Sequence, residues 1–517
     1  MENLIKKLSK ILLNTLIIFC ALQIITYQTI DVVIGCCVSL ITCMIFCKYI
    51  LTEKSLKQRP VSFVAIIGVF LFTYFAPIMT FVEGHPITYN MISPVSTFLW
   101  QLLYVLVTFA AYIYTGRKIE HGKIRQVLQE IGYFDSVGNT SLWILGLLGV
   151  AGRIYLLKNQ FGEEATRGAG TIYLLFIPFL MAPYCILFRP ILSRKANKYR
   201  GSLTPFIVYT LALLVMAIAS NARNSMVTII LTLLLMAIFY CINYREDITN
   251  RILNISLKKI LLCFLAFLVF SGPISDIAIA MVAVRYMRSD IDAKELFAET
   301  INLAMDSEKM KNIKSSFNTT EDNSEISSTM LRTYWNESYV SNVFMNRVCN
   351  YQVADASIYH AFRAGVPCQS FINDCLIRIK LLFPKPIVEL LFGDIDKEQF
   401  NHSPMDFLYA QSMRSQVRNG HIVGGDVGLG LAVFGYFFPL FQFVIYILIF
   451  RYMDSIIAFD GQKTIIPFLT FISIYGFFFT FFVGNGILAR LTSFFWAIPF
   501  GIIVKVLMVK IVKKFFG

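Results

Sequence analysis

Long apolar runs alternate with short charged segments along most of the chain. A helix needs about 17–25 mainly apolar residues to cross a hydrocarbon core of about 30 Å. By that measure the pattern predicts about twelve transmembrane helices. They lie near 11–28, 30–50, 61–81, 94–115, 142–157, 171–188, 203–220, 227–242, 260–284, 428–450, 464–484 and 493–511. The runs at 142–157, 203–220 and 227–242 are short for a span, so each either is not a span or extends past these ends.

The basic residues between the runs predict the orientation of the chain. If the spans alternate in direction, the basic clusters all fall on one side of the membrane. The positive-inside rule then places that side, and both termini, in the cytoplasm. The clusters are Lys48, Lys54, Lys57 and Arg59; Arg117, Lys118, Lys123 and Arg125; Arg189, Arg194, Lys195, Lys198 and Arg200; Arg245, Arg251, Lys258 and Lys259; and Lys513 and Lys514.

One segment, about residues 285–426, is too long for a linker and must carry structure of its own. It holds 15 Lys and Arg residues against 18 Asp and Glu residues, a net charge of −3. The alternation of spans places it in the periplasm as one large, mainly helical loop. The chain therefore divides into helices 1–9 over residues 1–284, the loop over 285–426, and helices 10–12 over 427–517.

The large loop has two parts of different character. The stretch "DSEKMKNIKSSFNTTEDNSEISS" is polar and is expected to be mobile. The stretch "FINDCLIRIKLLFPKPIVELLFG" is apolar with spaced charges. It predicts a helix in the membrane interface, broken at Pro384 and Pro386, or a helix packed in the core of the loop.

Composition agrees with a membrane protein. Of the 517 residues 56% are hydrophobic and 15% charged, with a mean hydropathy of +0.64, whereas a soluble domain carries about 25% charged residues. These values predict an all-α polytopic membrane protein. The net charge of +14 is dispersed over separate loops, so nucleic acid is not an expected partner. Two of the loop residues Cys349, Cys368 and Cys375 could pair in an oxidising periplasm.

Arginines near the predicted outer ends of helices are the main candidates for chemistry. Arg153 interrupts an apolar run, and such a residue normally faces a cavity or a partner. Arg223 and Arg490 lie at two further helix ends, and Arg414 and Arg418 precede the tenth span. A guanidinium offers forked donors that suit pyrophosphate oxygens, so these arginines could bind one lipid-borne pyrophosphate. Alternatively, each arginine anchors its own helix near the headgroups.

Several features resemble the O-antigen and capsule repeat-unit polymerases of the Wzy family. These are the many spans, the short "NARNS" turn at 221–225 that opens an apolar helix, and the large loop late in the chain. Some members carry an arginine followed after ten residues by glycine in periplasmic loops. Arg414 and Gly425 have that spacing in "RSQVRNGHIVGG", and the other outer loops hold no clear second copy.

The resemblance implies a metal-independent glycosyltransferase of the GT-C type that needs no cofactor. It would join oligosaccharide repeat units carried on undecaprenyl pyrophosphate at the periplasmic face. The implied partners are these lipid-linked glycans, membrane lipids and a chain-length regulator of the Wzz type. The sequence has no dinucleotide-binding glycine fingerprint between a strand and a helix, which agrees with a donor other than a nucleotide sugar.

Such a reaction needs a group that takes or orients the acceptor hydroxyl proton. His402, Asp406 and His421 are the candidates nearest Arg414 in the sequence, with His421 favoured. His85 and His360 are further candidates on the same predicted side, although a lone loop histidine is more often a bystander. The glycines of "NGHIVGGDVGLG" would let the backbone approach a bulky ligand, or would form a hinge.

Other functions share parts of this pattern. A flippase for lipid-linked sugars would also be a basic twelve-span protein, but such flippases generally have short loops and two similar halves. An O-antigen ligase would share the donor, the arginines and the large loop. A scaffold without catalysis fits least. The segment "GDIDK" at Gly393–Lys397 resembles the aspartate pair of metal-dependent nucleotide-sugar enzymes, but is better explained as a charged solvated turn.

Overall fold

The structure is a computed structural model that describes most of the chain. The described residues are 2–116, 122–158, 176–192, 201–219, 223–243, 276–277, 279–281, 283–284, 293–318, 339–340, 343–381, 385–393, 395, 400, 402–417, 422–460, 463–479, 490 and 498–516. The predicted span 260–284 lies mostly outside these residues.

The described residues are mainly helical. The first helices are α1 (Glu2–Tyr27), α2 (Ile30–Ile45), α3 (Glu53–Gln58), α4 (Pro60–Val82), α5 (Pro94–Gly116), α6 (Lys123–Glu130), α7 (Asn139–Lys158), α8 (Arg189–Leu192), α9 (Thr204–Ala219) and α10 (Arg223–Asn243). The large loop holds α11 (Ala293–Met305), α12 (Ser307–Asn318), α13 (Val343–Cys349), α14 (Tyr351–Ala364), α15 (Gln369–Lys380), α16 (Lys385–Phe392) and α17 (Pro404–Met413). After it come α18 (Asp426–Phe434), α19 (Phe438–Ser455), β1 (Ala458–Asp460), β2 (Lys463–Ile465), α20 (Phe468–Phe471), α21 (Ile474–Phe479) and α22 (Ile498–Phe516).

Several helices are long and apolar enough to cross a membrane. Within the described part of the chain there are five such segments: Ile5–Tyr27, Ile30–Ile50, Pro60–Val82, Pro94–Gly116 and Asp426–Ser455. The first four match the predicted spans 11–28, 30–50, 61–81 and 94–115. The protein is therefore a mainly helical, membrane-embedded protein. The total of twelve spans, the periplasmic loop, the cytoplasmic termini and the division into three regions stay predictions.

The outer faces of these helices are apolar. Ile11 and Ile25 on α1 are 62% and 67% exposed, and Leu440 on α19 is 62% exposed. A soluble monomer rarely exposes large contiguous apolar patches, so these faces are suited to lipid. The core lies inward, where α4 is the most buried of the five candidate spans.

Two predicted spans have a different form in the structure. Within 171–188 the chain forms a 3₁₀ helix, Ile177–Ile186, instead of an α-helix. Pro178 and Pro183 lie in this segment, and proline cannot donate the backbone bonds of an α-helix interior. The described part of 464–484 holds β2 and the short helices α20 and α21 instead of one long helix, and β2 pairs antiparallel with β1.

A buried ion pair ties three helices together at the end of the bundle where α4 begins and α5 ends. We call this the distal end. Arg59 Nε lies 2.7 Å from Asp454 Oδ2. The other guanidinium nitrogens of Arg59 donate to Tyr112 O at 2.5 Å and to Thr115 Oγ1 at 2.6 Å. Ser62 Oγ donates to Asp454 Oδ1. The pair therefore joins α4, α5 and α19.

The large loop docks at the other end of the bundle, which we call the loop end. Asp355 on α14 is fully buried. Its Oδ1 accepts from Ser93 N at 2.9 Å and Thr97 Oγ1 at 2.8 Å, and its Oδ2 accepts from Ile92 N. These donors lie at the start of α5, where a carboxylate is favoured because the first amides of a helix lack partners within it. Helix α14 is thereby fixed to α5.

Several features predicted for the large loop can be compared with the structure. Residues 307–318 of the polar stretch form α12, so mobility is not a property of the whole stretch. The apolar stretch forms α15, which ends at Lys380, and α16, which begins at Lys385, one residue before Pro386. Pro384 lies outside the described residues. Leu390 and Leu391 are 83% and 61% exposed, which favours the interface over the loop-core interpretation of α16. Cys349, Cys368 and Cys375 are free thiols, so no disulfide joins any two of them.

Candidate functional site

Helices α18 and α19 form a tight hairpin at the loop end. In one straight helix Asp426 and Tyr446 would lie about 30 Å apart, at 1.5 Å per residue. Instead, the Tyr446 hydroxyl is 3.4 Å from Asp426 Oδ2. The chain reverses at Gly435, whose φ of 60° glycine adopts without steric cost. The predicted span 428–450, which lies within the candidate membrane segment Asp426–Ser455, is therefore divided at Gly435, and residues 426–434 form a limb that folds back along α19.

The glycines before and within α18 accommodate helix α14. Gly425 N donates to Ser357 Oγ at 2.6 Å. A Cβ on Gly425 would lie 3.0 Å from the Ala354 Cα, and a Cβ on Gly428 would overlap the Ser357 carbonyl carbon. These glycines therefore allow a close approach to the chain's own α14, and their predicted approach to a ligand stays a prediction. This packing holds the start of α18 in a fixed position.

Asp426, the first residue of α18, is the centre of a buried polar cluster. Tyr104 Oη donates to Asp426 Oδ2 at 2.9 Å. The Tyr446 hydroxyl lies 2.9 Å from the Tyr104 hydroxyl. Arg490 Nη2 forms an ion pair with the same carboxylate oxygen. The side chains of Asp426 and Arg490 are only 5% and 8% exposed, so a charged pair is held inside the bundle.

The cluster lies within the apolar length of the bundle instead of on its surface. Tyr104 is about 15 Å along α5 from Pro94, at 1.5 Å per residue. Tyr446 is likewise near the middle of α19 (Phe438–Ser455). In such an environment a charge is stable only with an opposite charge and hydrogen bonds. Arg490 and the tyrosines therefore supply the opposite charge and the hydrogen bonds that the Asp426 carboxylate needs there.

The two oxygens of Asp426 differ. Oδ2 takes the contacts with Arg490 and Tyr104. Among the residues that the structure describes, no donor reaches Oδ1. A buried carboxylate oxygen without a donor is unfavourable, so Oδ1 is suited to accept a hydrogen bond from a bound molecule.

The predicted arginines have different surroundings. Arg490 belongs to the Asp426 cluster, which also adjoins Gly425. Arg153 is half-buried and lines a cavity between α7, α9, α21 and α22. Arg223 begins α10, and its side chain lies outside the described residues, as does all of Arg418. Arg414 is exposed and ends α17 with a left-handed φ of 53°. Convergence of all five arginines on one ligand stays a prediction.

Asp406 and His402 have contacts that stabilise the fold of the loop. Asp406 Oδ2 accepts from Ser403 N at 2.8 Å and Oδ1 from Ile422 N at 3.2 Å, so the carboxylate completes the capping box of α17. His402 Nε2 lies 3.3 Å from Asp374 Oδ1. Asp374 also accepts from Arg378 Nε at 2.6 Å. The catalytic roles predicted for Asp406 and His402 stay predictions, and His421 lies outside the described residues.

The remaining histidine candidates also have protein partners. The ring of His85 stacks on Tyr89 with a centroid distance of 3.9 Å. His360 is buried, and its Nδ1 lies 2.6 Å from Ser412 Oγ. Burial, with a smaller contribution from the charge of Arg363, lowers the pKa of His360 to about 4. His360 is therefore neutral near pH 7 and helps to join α14 to α17.

Sequence reasoning missed Asp426, Tyr104 and Tyr446. Asp426 carried a usable signal, because it is an acidic residue directly before an apolar run and beside the glycines. The tyrosines carried none, since a tyrosine within an apolar helix is usually a packing residue. Their roles depend on contacts with residues that are 322 and 20 positions away in the chain.

The donor set and the comparisons with known proteins complete the description of the site. Among the described residues, no group of three or more His, Cys, Asp or Glu side chains could hold a metal ion. The polar centre of the site consists of Asp426, Arg490, Tyr104 and Tyr446. No family model, curated protein or solved structure matches the chain.

Proposed function

We propose that the protein polymerises oligosaccharide repeat units carried on undecaprenyl pyrophosphate into O-antigen or capsular polysaccharide. The transfer would take place at the periplasmic face of the inner membrane, without a metal ion. The observation that carries the proposal is the buried Asp426–Arg490 pair inside the bundle, below the hairpin of α18 and α19. It combines a carboxylate that can accept a proton with a guanidinium that suits pyrophosphate.

The leaving group is the first requirement of this reaction. When the bond between the anomeric carbon and the pyrophosphate oxygen breaks, its electron pair stays on the pyrophosphate. A fixed cation beside that oxygen stabilises the developing charge. The guanidinium carries five N–H donors, more than one carboxylate oxygen accepts. Arg490 can therefore hold Asp426 and a pyrophosphate oxygen at the same time.

The acceptor is the second requirement. Its hydroxyl oxygen forms the new bond to the anomeric carbon, and its proton must leave. We assign that proton to Asp426 Oδ1. The hydrogen bonds to Oδ2 orient the carboxylate before the transfer. The chain reversal at Gly435 and the packing of α14 fix the carboxylate before the substrate binds.

We prefer Asp426 to Asp406 as the base. Both oxygens of Asp406 already accept backbone amides, whereas Asp426 Oδ1 has no donor among the described residues. His421 remains a candidate on its sequence position alone. A base typically contributes about 10²–10⁴-fold to the rate, so a variant of the correct residue has a large effect.

The test is deletion of the gene in its native host, followed by complementation and a gel of the surface polysaccharide. We expect the deletion strain to carry glycan with a single repeat unit. Wild type should restore the ladder, and Asp426→Asn should not, although its level in the membrane stays normal. Glu299→Gln, an exposed carboxylate on α11, is the matched control and should restore the ladder.

Each other outcome has a defined meaning. A full ladder with Asp426→Asn would show that Asp426 is not the base. A normal ladder in the deletion strain would refute the polymerase proposal. Full-length polymer that remains on the lipid carrier would identify a ligase instead.

A flippase is the second candidate, and one observation favours it. Arg153 and Lys505 both lie within predicted spans and line a common cavity inside the bundle. Basic residues deep in a bundle are typical of a path for an anionic lipid. In the deletion experiment a flippase would give complete loss of surface glycan, with repeat units accumulating on the carrier inside the cell.

A further inference from the structure

Gln442 is a fully buried polar residue of α19 that has no role in the transfer steps proposed so far. Its amide nitrogen, Nε2, donates to Tyr104 O at 2.8 Å and to Thr108 Oγ1 at 2.9 Å. Both partners lie on α5, so this half of the amide joins α19 to α5. The other half, the carbonyl oxygen Oε1, has no donor among the described residues.

The hydrogen bonds to α5 determine which way the Gln442 amide points. Tyr104 O is a carbonyl oxygen, which can only accept a hydrogen bond. Thr108 Oγ1 donates its own hydrogen to Tyr104 O at 2.7 Å, so it accepts from Gln442. Exchanging the amide oxygen and nitrogen would place Oε1 against two acceptors. Oε1 therefore points away from these partners and requires a donor from elsewhere.

The Gln442 amide belongs to the same part of the bundle as the Asp426 cluster. Gln442 and Tyr446 are four residues apart on α19, so their side chains start on one face, about 5–6 Å apart. The Tyr446 hydroxyl lies 3.4 Å from Asp426 Oδ2. Tyr104 contacts both groups, Gln442 through its carbonyl oxygen and Asp426 through its hydroxyl.

This region therefore contains two buried acceptor oxygens, Gln442 Oε1 and Asp426 Oδ1, that have no donor among the described residues. Each is unfavourable while it lacks a donor. A connection between α5 and α19 needs only the amide nitrogen of Gln442, so it does not explain why a carbonyl oxygen is buried as well. A ligand that brings two neighbouring donors satisfies both oxygens.

We infer that Gln442 is a specificity-determining residue that contacts the acceptor sugar. Its Oε1 accepts a hydrogen bond from a hydroxyl or an amide N–H on the carbon next to the reacting hydroxyl. Asp426 Oδ1 meanwhile takes the proton of the reacting hydroxyl. The substrate class is thus a sugar with two neighbouring donors, such as a vicinal diol or an N-acylated amino sugar. The inference rests on the proposed function and adds one contact to it.

The experiment measures glycan transfer by the purified full chain in nanodiscs. The donor is the lipid-linked repeat unit extracted from the deletion strain. The acceptors are two octyl glycosides of the same repeat unit, one intact and one with hydrogen in place of the donor group next to the linkage position. We expect the second acceptor to have a kcat/KM at least about tenfold lower with wild type, because Oε1 is then left without a donor.

Variants test whether this discrimination comes from Gln442. Met has nearly the volume of Gln, and Tyr104 O keeps its hydrogen bond from Thr108 in Gln442→Met. This variant should use the two acceptors with kcat/KM values within about twofold, so that the two changes are not additive. Gln442→Asn, which withdraws the oxygen by one methylene group, should reduce the discrimination if Gln442→Met fails to fold. Thr108→Val keeps Oε1 and should discriminate like wild type.

Two results would overturn the inference and leave the polymerase proposal intact. Equal kcat/KM for the two acceptors with wild type would show that no neighbouring donor is recognised. The same preference for the intact acceptor in wild type and Gln442→Met would place the recognition at another residue. By contrast, no transfer by wild type, together with a normal ladder in the deletion strain, would refute the polymerase proposal and the inference with it.

Discussion

The bundle holds two buried Arg–Asp pairs, one at its distal end and one near the middle of α5 and α19, and the pairs differ in how completely they are hydrogen-bonded. At the distal end both oxygens of Asp454 are occupied, one by Arg59 and the other by Ser62. Arg59 also stacks over the Tyr112 ring at 4.0 Å. In the pair near the middle of the bundle, only Oδ2 of Asp426 has donors among the described residues.

This difference in hydrogen bonding distinguishes a structural pair, Arg59–Asp454, from a candidate reactive pair, Asp426–Arg490. A buried ion pair whose hydrogen bonds are all made by the protein offers nothing to a ligand, and its function is to hold helices in register. A pair with an unoccupied oxygen costs stability unless a bound molecule completes it. Such a cost is typical of functional sites.

The largest expected effect comes from replacing each pair by apolar residues. Because well-packed apolar residues often substitute for a buried pair without loss of stability, both double variants should fold. Arg59→Met with Asp454→Leu should retain polymerisation. Asp426→Leu with Arg490→Met should lose it by about 10²-fold or more, because the base is removed. Polymer made per folded molecule is the measurement, and equal activity of the two double variants would contradict the comparison.

Removing one partner of the distal pair should destabilise the fold. Arg59→Met leaves Asp454 buried without its counter-ion, at an expected cost of about 3–5 kcal/mol. The Tm of the purified protein should fall, and addition of Asp454→Leu should restore it. If the added Asp454→Leu lowers the Tm further, the unpaired Asp454 charge is not what destabilises Arg59→Met.

The glycine contact at the loop end should have a smaller effect. Gly428→Ala places a methyl group against the Ser357 backbone, and such overpacking typically costs about 1–3 kcal/mol. Gly501→Ala is the control, because no heavy atom lies within 4 Å of the added Cβ. The Tm of Gly428→Ala should fall while that of Gly501→Ala should not. A fall in both would show that any added methyl group is harmful.

The smallest expected effect is a dependence on pH that arises from the loop end. His360 binds its proton near pH 4 in the folded state, but near pH 6.5 when unfolded. Below pH 6.5 the unfolded state therefore binds more protons, and stability falls as the pH decreases towards 4. At pH 5 the loss should be about 1–2 kcal/mol. His360→Asn, which cannot titrate there, should show a shallower fall in Tm between pH 7 and 4.5, and an unchanged slope would contradict this origin.

Part of the architecture could be predicted from the sequence because it depends on local composition. The spans at 61–81 and 94–115 are continuous apolar runs, and α4 and α5 follow them closely. The 3₁₀ helix had a local signal in Pro178 and Pro183. The reversal at Gly435 had none, since its flanks are apolar throughout and glycine is common in membrane helices.

The site itself depends on contacts between distant parts of the chain. Arg490 was predicted from its place at a helix end, but its ion-pair partner lies 64 residues away. Asp406 was the more conspicuous acid because of the adjacent histidine and arginine. Its carboxylate forms a cap instead, and a capping role requires only the local sequence Ser403–Asp406. Proximity in the sequence alone therefore does not distinguish a carboxylate that caps a helix from one that acts as a base.

Helix α14 connects the outer part of the protein to the proposed reaction centre. Asp355 fixes it to the start of α5, which carries Tyr104, and Ser357 fixes it to Gly425, which adjoins Asp426. Asp355 and Ser357 are two residues apart, so they lie on nearly opposite faces of α14. Helix α14 therefore contacts both the helix that carries Tyr104 and the residue before Asp426, the two partners of the Tyr104–Asp426 hydrogen bond. The position of α14, and with it the part of the large loop that α14 belongs to, is thereby coupled to the position of both groups of that bond.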